Sequence, residues 1–536
     1  MASKKMTVKQ LKEKLETLKS ERRVWETHWQ ELADYILPRK NTILTQRFPG
    51  EKRSVGLLDS TGVQSNELLS GALHGLLTNP NAEWFELTTG DTDLDREDDV
   101  RFFLQKATTT IHNVLNNSNF QTEIHELYMD LCCFGTGAVY IEEDDKDIVR
   151  FSTRFIGEFY VCENHLGVID EIHREWKWDA SKIVAEFGLK NVHKKVQDAF
   201  EKAKPDKFCI QHSIYPRFNV DPESKNAFTY ISQYILPDEN YELRESGFRE
   251  FPYIVPRWSK ATGEVYGRSP GMNALPEIKT LNKMTETTII GAQKVVDPPL
   301  QLPDDGFVLP ISTKPGGLNF YRSGTNDIIK PLFNESRIDF GTQSLEDRRV
   351  RIRQCYHIDK LVLQQGGPQM TATEVLQRTE EQTRLLGPML GRQQSENARP
   401  MIDRVFNICL RKGKIKMEDV PQILLGRRID VRYSSLIAKS QRLAEGQNLL
   451  RAFQALAPIY NVQPTIMDNM NTDKVFRVIA ETFGLRQETI NTTKERDTIR
   501  QSRAQAQQQA LDQQHAKEQA DSAPKVVDAM NKIQGG

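Results

Sequence analysis

The acidic residues of the chain gather in two short runs whose residue type could serve metal-ion chemistry. The first is "DTDLDREDD", from Asp91 to Asp99, and the second is "EEDDKD", from Glu142 to Asp147. Clustered carboxylates can hold Mg²⁺ for the hydrolysis of phosphate esters. Both runs lie in predicted loops or turns, and no motif beside them completes a site. A solvated acidic surface is the interpretation that this pattern favours.

Two glycine-containing strings share part of the pattern of a nucleotide-binding loop. Such a loop needs glycines that cradle the phosphates, followed by lysine and a hydroxyl residue. The string "FGTGAVY", which begins at Phe134, lacks the third glycine, and "RKGKIK", which begins at Arg411, has no hydroxyl residue after its Gly-Lys. Neither predicts a nucleotide site. The first predicts close packing of the backbone at its glycines.

Histidine and cysteine residues do not form a metal motif either. The string "HELYM" at His125 starts like the helix of a zinc protease but has methionine where the second histidine belongs. Cys132 and Cys133 are adjacent, so they cannot chelate as a spaced pair does, and buried apolar packing is predicted for them. The sequence therefore predicts no catalytic residue, no metal site and no cofactor, and the chain is not expected to be an enzyme.

The run "EDRRVRIRQ", which begins at Glu346, is the strongest candidate for contact with nucleic acid. Arg349 and Arg353 share one face of the predicted helix. The alternative is neutralisation within the helix, because Glu346 can pair with Arg349 and Asp347 with Arg351. Both interpretations stay open on the sequence alone.

Composition limits the kinds of partner. The 536 residues include 72 Lys and Arg against 73 Asp and Glu, so the basic excess typical of proteins that grip nucleic acid is missing. Six scattered cysteines indicate a reducing environment. The segment "MASKKMTVKQ" does not read as a signal peptide, and no apolar run approaches the roughly 18–20 residues of a membrane span. Assembly in a cytosol without a membrane partner is expected.

Helices are predicted first along the chain. Apolar residues advance in steps of four and three up to Pro38, with Arg22 as the one polar interruption. They are Leu11, Leu15, Leu18, Trp25, Trp29, Leu32 and Ile36. This spacing predicts a helix that packs in its own domain or in an intermolecular coiled coil. A second helix is predicted from about Thr61 to Leu77. Its apolar side is predicted to contain Val63, Leu68, Leu69, Ala72, Leu73 and Leu76.

Strands are predicted between about 150 and 260. The runs "IDEIHREWKW", "FCIQHSIYPRF" and "FTYISQYIL" are rich in aromatic and β-branched residues and are separated by turn residues. They predict an antiparallel meander, and "ASKIVAEFG" between the first two predicts a short helix.

The next helix is predicted to begin at Ser269, whose side chain can cap its N-terminus. Pro270 suits the first helical position. Pro276 offers a second start. Residues 297–342 predict short strands and turns, and helix resumes from near Thr342 to about Ile358.

A polar loop is predicted next, in "LVLQQGGPQMTATEVLQRTEEQ", residues 361–382. Its centre, Gln-Gln-Gly-Gly-Pro-Gln, has nothing to bury. Thr371 and Glu374 have the spacing of a capping box, which predicts the start of a long helix that reaches Lys412. Gly387–Pro388 and Pro400 are expected to kink that helix.

Five strings in this order resemble the portal, or head-to-tail connector, proteins of short-tailed, T7-like bacteriophages. They are "WETHWQELADYILPRK", "LLDSTGVQSNELLSGALHGLLTNPNAEWFEL", "FGTGAVYIEE", "GEVYGRSPGMNALPEIKTLNKM" and "TATEVLQRTEEQ". The resemblance covers roughly residues 8 to 485. It implies an α+β, predominantly helical subunit of a dodecameric ring at one vertex of the capsid.

The same resemblance implies a division of the chain into the parts of a portal subunit. These parts are a wing (1–268), a first stem helix (269–296), a β-rich clip (297–341), a second stem helix (342–360), a tunnel loop (361–371), a long kinked wing helix (372–412), a crown (413–490) and a Gln-rich end, helical or disordered (491–536). Double-stranded DNA would enter through the channel, driven by a separate terminase, and leave through it on infection. Tail adaptors, the major capsid protein and the scaffold protein are the other implied partners, in a virion assembled in the host bacterial cytoplasm.

The tunnel-loop composition suits a channel that DNA must pass without sticking. Neutral polar groups can meet phosphates without the counterion release that lysines bring. The expected channel-facing residues are Gln364, Gln365, Gly366, Gly367 and Gln369, together with Arg349 and Arg353 of the second stem helix.

Two other classes of protein are compared with this interpretation. A packaging enzyme, such as a terminase nuclease–ATPase, is disfavoured because the phosphate loop is missing. Another virion component without a DNA channel, an adaptor or a scaffold, is the remaining alternative. The predicted meander and clip argue against a scaffold, and adaptors are usually much smaller.

Overall fold

A computed structural model supplies the coordinates, and the chain in it divides into two compact units. The first comprises Met1–Ala82 with Ile111–Lys412, and the second Glu83–Thr110 with Gly413–Gly536. The structure describes residues 5–48, 50–54, 56–91, 93–217, 228–297, 299–301, 330–331, 338–361, 387–424, 426, 429–433, 451–452, 454–455, 471–482 and 489–534.

Helices and strands in the described residues give an α+β fold in which helix predominates. The helices are α1 (Val8–Tyr35), α2 (Thr61–Leu77), α3 (Asp98–Asn117), α4 (Phe120–Phe134), α5 (Ala180–Phe187), α6 (Lys194–Glu201), α7 (Pro270–Val296), α8 (Ile338–Cys355), α9 (Ile358–Leu361), α10 (Arg399–Arg411), α11 (Thr472–Thr482) and α12 (Thr493–Gln534). The strands are β1 (Phe85–Thr88), β2 (Ala138–Asp144), β3 (Ile148–Arg154), β4 (Phe159–Glu163), β5 (Ile169–Asp179), β6 (Lys207–Pro216), β7 (Tyr230–Leu236), β8 (Tyr241–Phe248), β9 (Tyr253–Ile254), β10 (Leu300–Gln301), β11 (Lys330–Pro331) and β12 (Asp430–Tyr433). None of these helices is both long enough and apolar enough to cross a bilayer.

The centre of the first unit is an antiparallel sheet of five strands in the order β4-β5-β6-β7-β8. Strands β5, β6 and β7 correspond to the three runs that predict a meander, and α5 to the predicted short helix, so this part of the prediction is confirmed. One face of the sheet packs against α5 and α6 through Trp176, Ile183, Val196 and Ile210. The other face receives α1.

Arg22 corrects the expected pattern of α1. The side chain is not a polar interruption, because it is 2% exposed and lies among the buried residues of the helix. Its guanidinium donates to the backbone oxygens of Ile156, Gly157 and Phe159 and to the carboxylate of Glu26. These partners satisfy a charge that could not otherwise be buried.

Helix α2 has the predicted bounds, and its predicted apolar side is confirmed only in part. Leu69 and Leu73 are buried, whereas Leu68 and Leu76 are 51% and 40% exposed. Small and polar residues share the buried face with the two leucines, because α2 packs closely against its neighbours there. They are Thr61, Gly62, Ser65, Asn66 and Ser70.

Proline has different effects at two helical positions. Pro276 lies inside α7, which is continuous from Pro270, so the predicted second start is wrong. Pro400 follows a π turn, Gln394–Ala398, which joins the helical residues 387–393 to α10. Pro400 has no N–H to donate to the carbonyl of Glu396, and a π turn directly precedes it where a kink was expected. The expected kink at Gly387–Pro388 falls at the edge of the described residues.

The second unit contains the β1–β12 ladder, in which Glu86 faces Arg432. The acidic run before α3 is not merely solvated here. Asp95 accepts a hydrogen bond from the Thr89 N–H at 2.8 Å, and Asp98 accepts from Arg477 at 2.9 Å and from the Thr493 N–H at 2.8 Å. The bonds of Asp98 tie α3 to α11 and to the start of α12. The sequence left helix and disorder open for the Gln-rich end, and α12 is helical there.

Candidate functional site

Helices α7 and α8 occupy the positions of the two predicted stem helices, and they run antiparallel. Gly271 near the start of α7 lies beside Tyr356 just after α8, while Glu277, one to two turns later, meets Arg348 and Arg351. Helix α8 begins at Ile338, four residues before the predicted start, and ends at Cys355. His357, with φ of +56°, separates it from α9.

The start of α7 is held by its cap and by α4. Ser269 Oγ accepts a hydrogen bond from the Met272 N–H at 2.9 Å and donates to the carbonyl of Cys133 at 2.7 Å. Pro270 occupies the first helical position, where its missing N–H costs nothing. A side chain at Gly271 would meet the Cys133 carbonyl at 3.0 Å and the Tyr356 hydroxyl at 3.1 Å. The first turn of α7 therefore has little freedom to move against α4.

The string "FGTGAVY" completes this junction, and its predicted close packing is confirmed. Gly135 ends α4 with φ of +80°, and a Cβ there would lie 2.3 Å from the carbonyl oxygen of Gly267. Thr136 Oγ1 accepts from the Gly267 N–H at 2.7 Å. The backbone N–H of Trp258 donates to the carbonyl of Gly135 at 2.9 Å. Glycine is needed at Gly135 for its left-handed conformation and for the approach of two backbones.

The arginines of α8 meet carboxylates of the same chain. Arg348 lies 2.5 Å from Glu277 of α7, and Arg351 lies 3.9 Å from the same residue rather than pairing with Asp347 as predicted. Arg353 lies 3.4 Å from Glu346, an exposed and therefore weak pair. Carboxylates of the same chain therefore largely compensate the basic run that begins at Glu346.

Of the α8 arginines, Arg349 pairs with the residue most distant in sequence. It pairs with Glu346 at 3.2 Å, as predicted, and also with Asp59 before α2 at 2.9 Å. Burial raises the pKa of Asp59, but hydrogen bonds from Thr61 and Arg349 lower it more, so the net pKa lies below its ordinary value. Both side chains therefore stay charged at neutral pH, and α8 is fixed to the segment before α2.

The outer surface of α7 is polar in its middle and apolar at its end. Four threonine hydroxyls donate to carbonyls one turn earlier, which uses the donor of each hydroxyl within the helix. They belong to Thr280, Thr285, Thr287 and Thr288. Ile289, Ile290, Val295 and Val296 near the end of α7 are each at least 43% exposed.

Several predicted site residues lie outside the described residues. These are Gln364, Gln365, Gly366, Gly367 and Gln369 of the loop and the cap residues Thr371 and Glu374. Of the predicted clip, the structure describes little more than the antiparallel pairing of β10 with β11.

One arrangement that resembles catalytic machinery escaped the sequence analysis. His173 Nδ1 lies 2.8 Å from Ser213 Oγ, and His173 Nε2 lies 2.9 Å from Glu171. The serine and the histidine are fully buried beneath α1, and Gln211 donates both to Ser213 and to the carbonyl of Leu11. Because the serine and the histidine have no exposed surface, we interpret the three residues as part of the contact between the sheet and α1. The described residues contain no group of side chains suited to a metal ion.

Comparison with known proteins identifies the family of the chain. Residues 8–490 match the family described as bacteriophage head to tail connecting protein. The probable portal protein of Bordetella phage BPP-1 is 31% identical over 95% of this chain and 93% of its own length. The portal protein of Salmonella phage epsilon15 is 30% identical over 93% of this chain and 92% of its own length.

Solved structures give a weaker likeness. A chain in the virion of a native gene transfer agent particle aligns with a TM-score of 0.34 and 11% identity, over 83% of this chain and 98% of that chain. A chain in the neck of an empty particle of the same kind has a TM-score of 0.35 and 10% identity, over 82% and 99%. The sequence matches alone carry the assignment. The chain belongs to the bacteriophage head to tail connecting proteins, and its function is that of a phage portal.

Proposed function

We propose that twelve copies of the chain form a ring at one capsid vertex and that double-stranded DNA passes through its channel. A terminase drives the DNA in during packaging, and the DNA leaves by the same route on infection. The observation that carries this proposal is the full-length similarity to two phage portal proteins. The family description, which names a connection of head to tail, supports the same position in the virion.

Helices α7 and α8 are the proposed stem. Their antiparallel packing and the fixed first turn of α7 suit a rigid channel wall. Carboxylates of the same subunit compensate Arg348 and Arg349, which lowers the number of cations available to phosphates. Because affinity for DNA depends on the counterions that such cations release, a compensated wall lets DNA slide. Of the two arginines predicted to face the channel, Arg353 is more exposed than Arg349 and is the candidate for a transient phosphate contact.

The remaining parts follow the family pattern. Residues 297–341 form the clip that docks first the terminase and later the tail adaptors, and residues 361–371 form the tunnel loop. Residues 372–412 continue the wing, and residues from 413 to 490 form the crown near the capsid interior. The major capsid and scaffold proteins contact the ring during assembly in the host bacterial cytoplasm. The protein acts by position and shape, without catalysis.

Electron microscopy of the purified chain tests the ring directly. End-on averages are expected to show a closed ring with a central hole wide enough for a DNA duplex, and the subunits can be counted. A monomer, or filaments without a hole, would contradict the proposal and favour an adaptor or a scaffold.

The loop assignment has its own test. Replacement of Gln364–Gln369 by a Gly-Ser linker of equal length is expected to leave ring assembly intact and to impair DNA packaging or retention. The control is the same replacement over the exposed turn Lys202–Asp206, which should package normally. Normal packaging by the loop variant would remove the tunnel-loop assignment.

The clip assignment is tested by deletion of residues 297–341. The ring should still form, whereas terminase and adaptor should no longer bind. Retained binding of terminase would contradict the clip.

A further inference from the structure

The π turn Gln394–Ala398 separates a firmly anchored helix from a loosely held one. Beyond the turn, α10 buries a continuous apolar face that fixes its position, made of Met401, Ile402, Val405, Ile408 and Cys409. Before the turn, Gln393 is the one buried residue among 387–393. The register of the helix before the turn therefore depends on what holds Gln393 and the turn itself.

A single residue, Arg257, holds both. Its backbone N–H donates to the Glu396 carboxylate at 3.0 Å, and its carbonyl accepts from Gln393 Nε2 at 2.8 Å. Glu396 lies within the π turn and Gln393 directly before it. Arg257 itself is fixed, because it forms a β-bridge with Thr136 in the junction beside α4. The backbone of Arg257 thus holds the turn through two hydrogen bonds. The bonds of Arg257 to Glu396 and Gln393 are called the clasp below.

The guanidinium of Arg257 strengthens the clasp. Nε and Nη2 bind the two oxygens of Glu396 at 3.1 and 3.0 Å, and the other donors reach Glu163, Val265 and Gly167. All five N–H donors of the side chain have acceptors. Burial disfavours the charge, but Glu396 and Glu163 outweigh it and raise the pKa of Arg257. Lysine could not reproduce this planar set of bonds.

The observed register also carries a cost. Gln393 Oε1 and Asn397 Oδ1 are buried and accept no hydrogen bond from the described residues. Pro400 offers no N–H to the turn, so the backbone loses a bond there whether the turn is π or α. A π turn holds one residue more than an α turn, and such turns occur frequently at functional sites.

We propose that the helix 387–411 has two registers that differ by one residue at the π turn, and that Arg257 is the positioning residue that selects the register seen here. In the other register the helix is α throughout. Residues 387–393 then turn by about 100° and shift by about 1.5 Å relative to α10. The bond from Gln393 to Arg257 cannot survive that movement. Helix α10 keeps its packing in both registers.

High-resolution electron microscopy of the full-length chain, in its purified assembly without DNA, tests the proposal. The register of residues 387–411 is read from the maps of variants. Pro400→Ala alone should keep the π turn, because Arg257 still holds Glu396 and Gln393. Pro400→Ala combined with Arg257→Met should give a continuous α-helix and a rotated segment 387–393.

A second pair of variants leaves Arg257 in place and covers the case in which the Arg257→Met protein does not fold. Pro400→Ala with Glu396→Gln removes the charge from the clasp and should populate both registers, visible also as faster hydrogen exchange in residues 387–393 than in α10. The matched control is Pro400→Ala with Arg404→Met. Arg404 is equally buried in α10 but donates to Ile141 and Glu250, so this chain should keep the π turn.

Two results would overturn the proposal. Loss of the π turn in Pro400→Ala alone would show that Pro400, and not Arg257, selects the register. A π turn retained in both double variants, with Arg257→Met and with Glu396→Gln, would show that Arg257 does not select the register. Because the measurement uses neither DNA nor terminase, failure of the proposed channel function would leave its outcome unchanged.

Discussion

Arg349 of α8 donates hydrogen bonds from Nε and Nη2 to the same oxygen of Asp59, at 3.1 and 2.9 Å, across 290 positions of the sequence. Asp59 also accepts from the Thr61 N–H at 2.8 Å, so one carboxylate joins the start of α2 to α8. The pair shows how a residue predicted to face DNA can instead contribute to the structure of one subunit.

Arg349→Met is therefore expected to destabilise the first unit by about 1 kcal/mol. The substitution leaves the nearly buried Asp59 carboxylate without its cation, and screening of the partly exposed arginine limits the loss. Chemical denaturation of the purified chain measures the change. The control is Arg353→Met, whose pair with Glu346 is about half exposed on both sides and should contribute less than about 0.5 kcal/mol. Equal effects of the two substitutions would contradict this role of Asp59.

Arg22→Met is expected to cost about 3 kcal/mol, because Glu26 and three backbone carbonyls lose their buried partner. Arg22→Lys should restore only part of the stability, since an ammonium cannot donate in all these directions. The neighbouring Arg23 is exposed on the same helix, so Arg23→Met should change the free energy of unfolding by less than about 0.5 kcal/mol. Similar values for the two methionine variants would show that Arg22 is not bound as described.

Gly135→Ala should destabilise the junction by at least about 3 kcal/mol. The substitution combines a left-handed backbone with a Cβ only 2.3 Å from the Gly267 carbonyl oxygen. Gly71 offers the opposite case, because it lies on the exposed face of α2 with open space around its Cβ position. Gly71→Ala should raise stability by about 0.5–1 kcal/mol. Thermal unfolding of both variants checks the pair, and a neutral Gly135→Ala would refute the close approach.

Acidification should weaken the five-stranded sheet through His212. Burial lowers the pKa of His212 well below its ordinary value, and the nearby Arg174, Arg154 and Arg244 lower it further. The unfolded chain binds a proton at about pH 6.5, whereas the folded chain resists it, so stability falls as pH drops below that value. Protonation of His212 alone changes the free energy of unfolding by at most about 1.4 kcal/mol per pH unit.

The variant His212→Gln isolates this contribution. It should reduce the loss of stability between pH 6.5 and 5, because glutamine cannot take up the proton. His165→Gln is the control, since His165 is exposed in the hairpin between β4 and β5 and should leave the slope as it is. Denaturant unfolding at a series of pH values supplies the measurement, and parallel slopes in all three proteins would remove His212 as the cause.

Local elements were predictable where their signals lie within a few residues. Helix α2, the strands β5 to β7, helix α5 and the cap of α7 all depend on periodicity or on neighbours within one turn. The predicted apolar side of α2 was right for Leu69 and Leu73. It was wrong for Leu68 and Leu76, which stay exposed because small and polar residues pack beside the two buried leucines instead. The run Asp91–Asp99 was predicted to be solvated, yet Asp98 bonds to Arg477 at a separation of 379 positions, and Asp95 accepts a local hydrogen bond from Thr89.

The sequence by itself determined the family and the order of helices and strands, because caps, turn residues and hydrophobic periods act over short distances along the chain. Only the tertiary structure decided the partners of its buried and half-buried charges. Arg22 meets backbone more than 130 positions away, and Arg257 meets Glu396 at a separation of 139. Such pairs depend on which surfaces the packed core brings together and carry no local pattern. The same reason explains why a basic run that suggested nucleic acid contact lies among carboxylates of its own subunit.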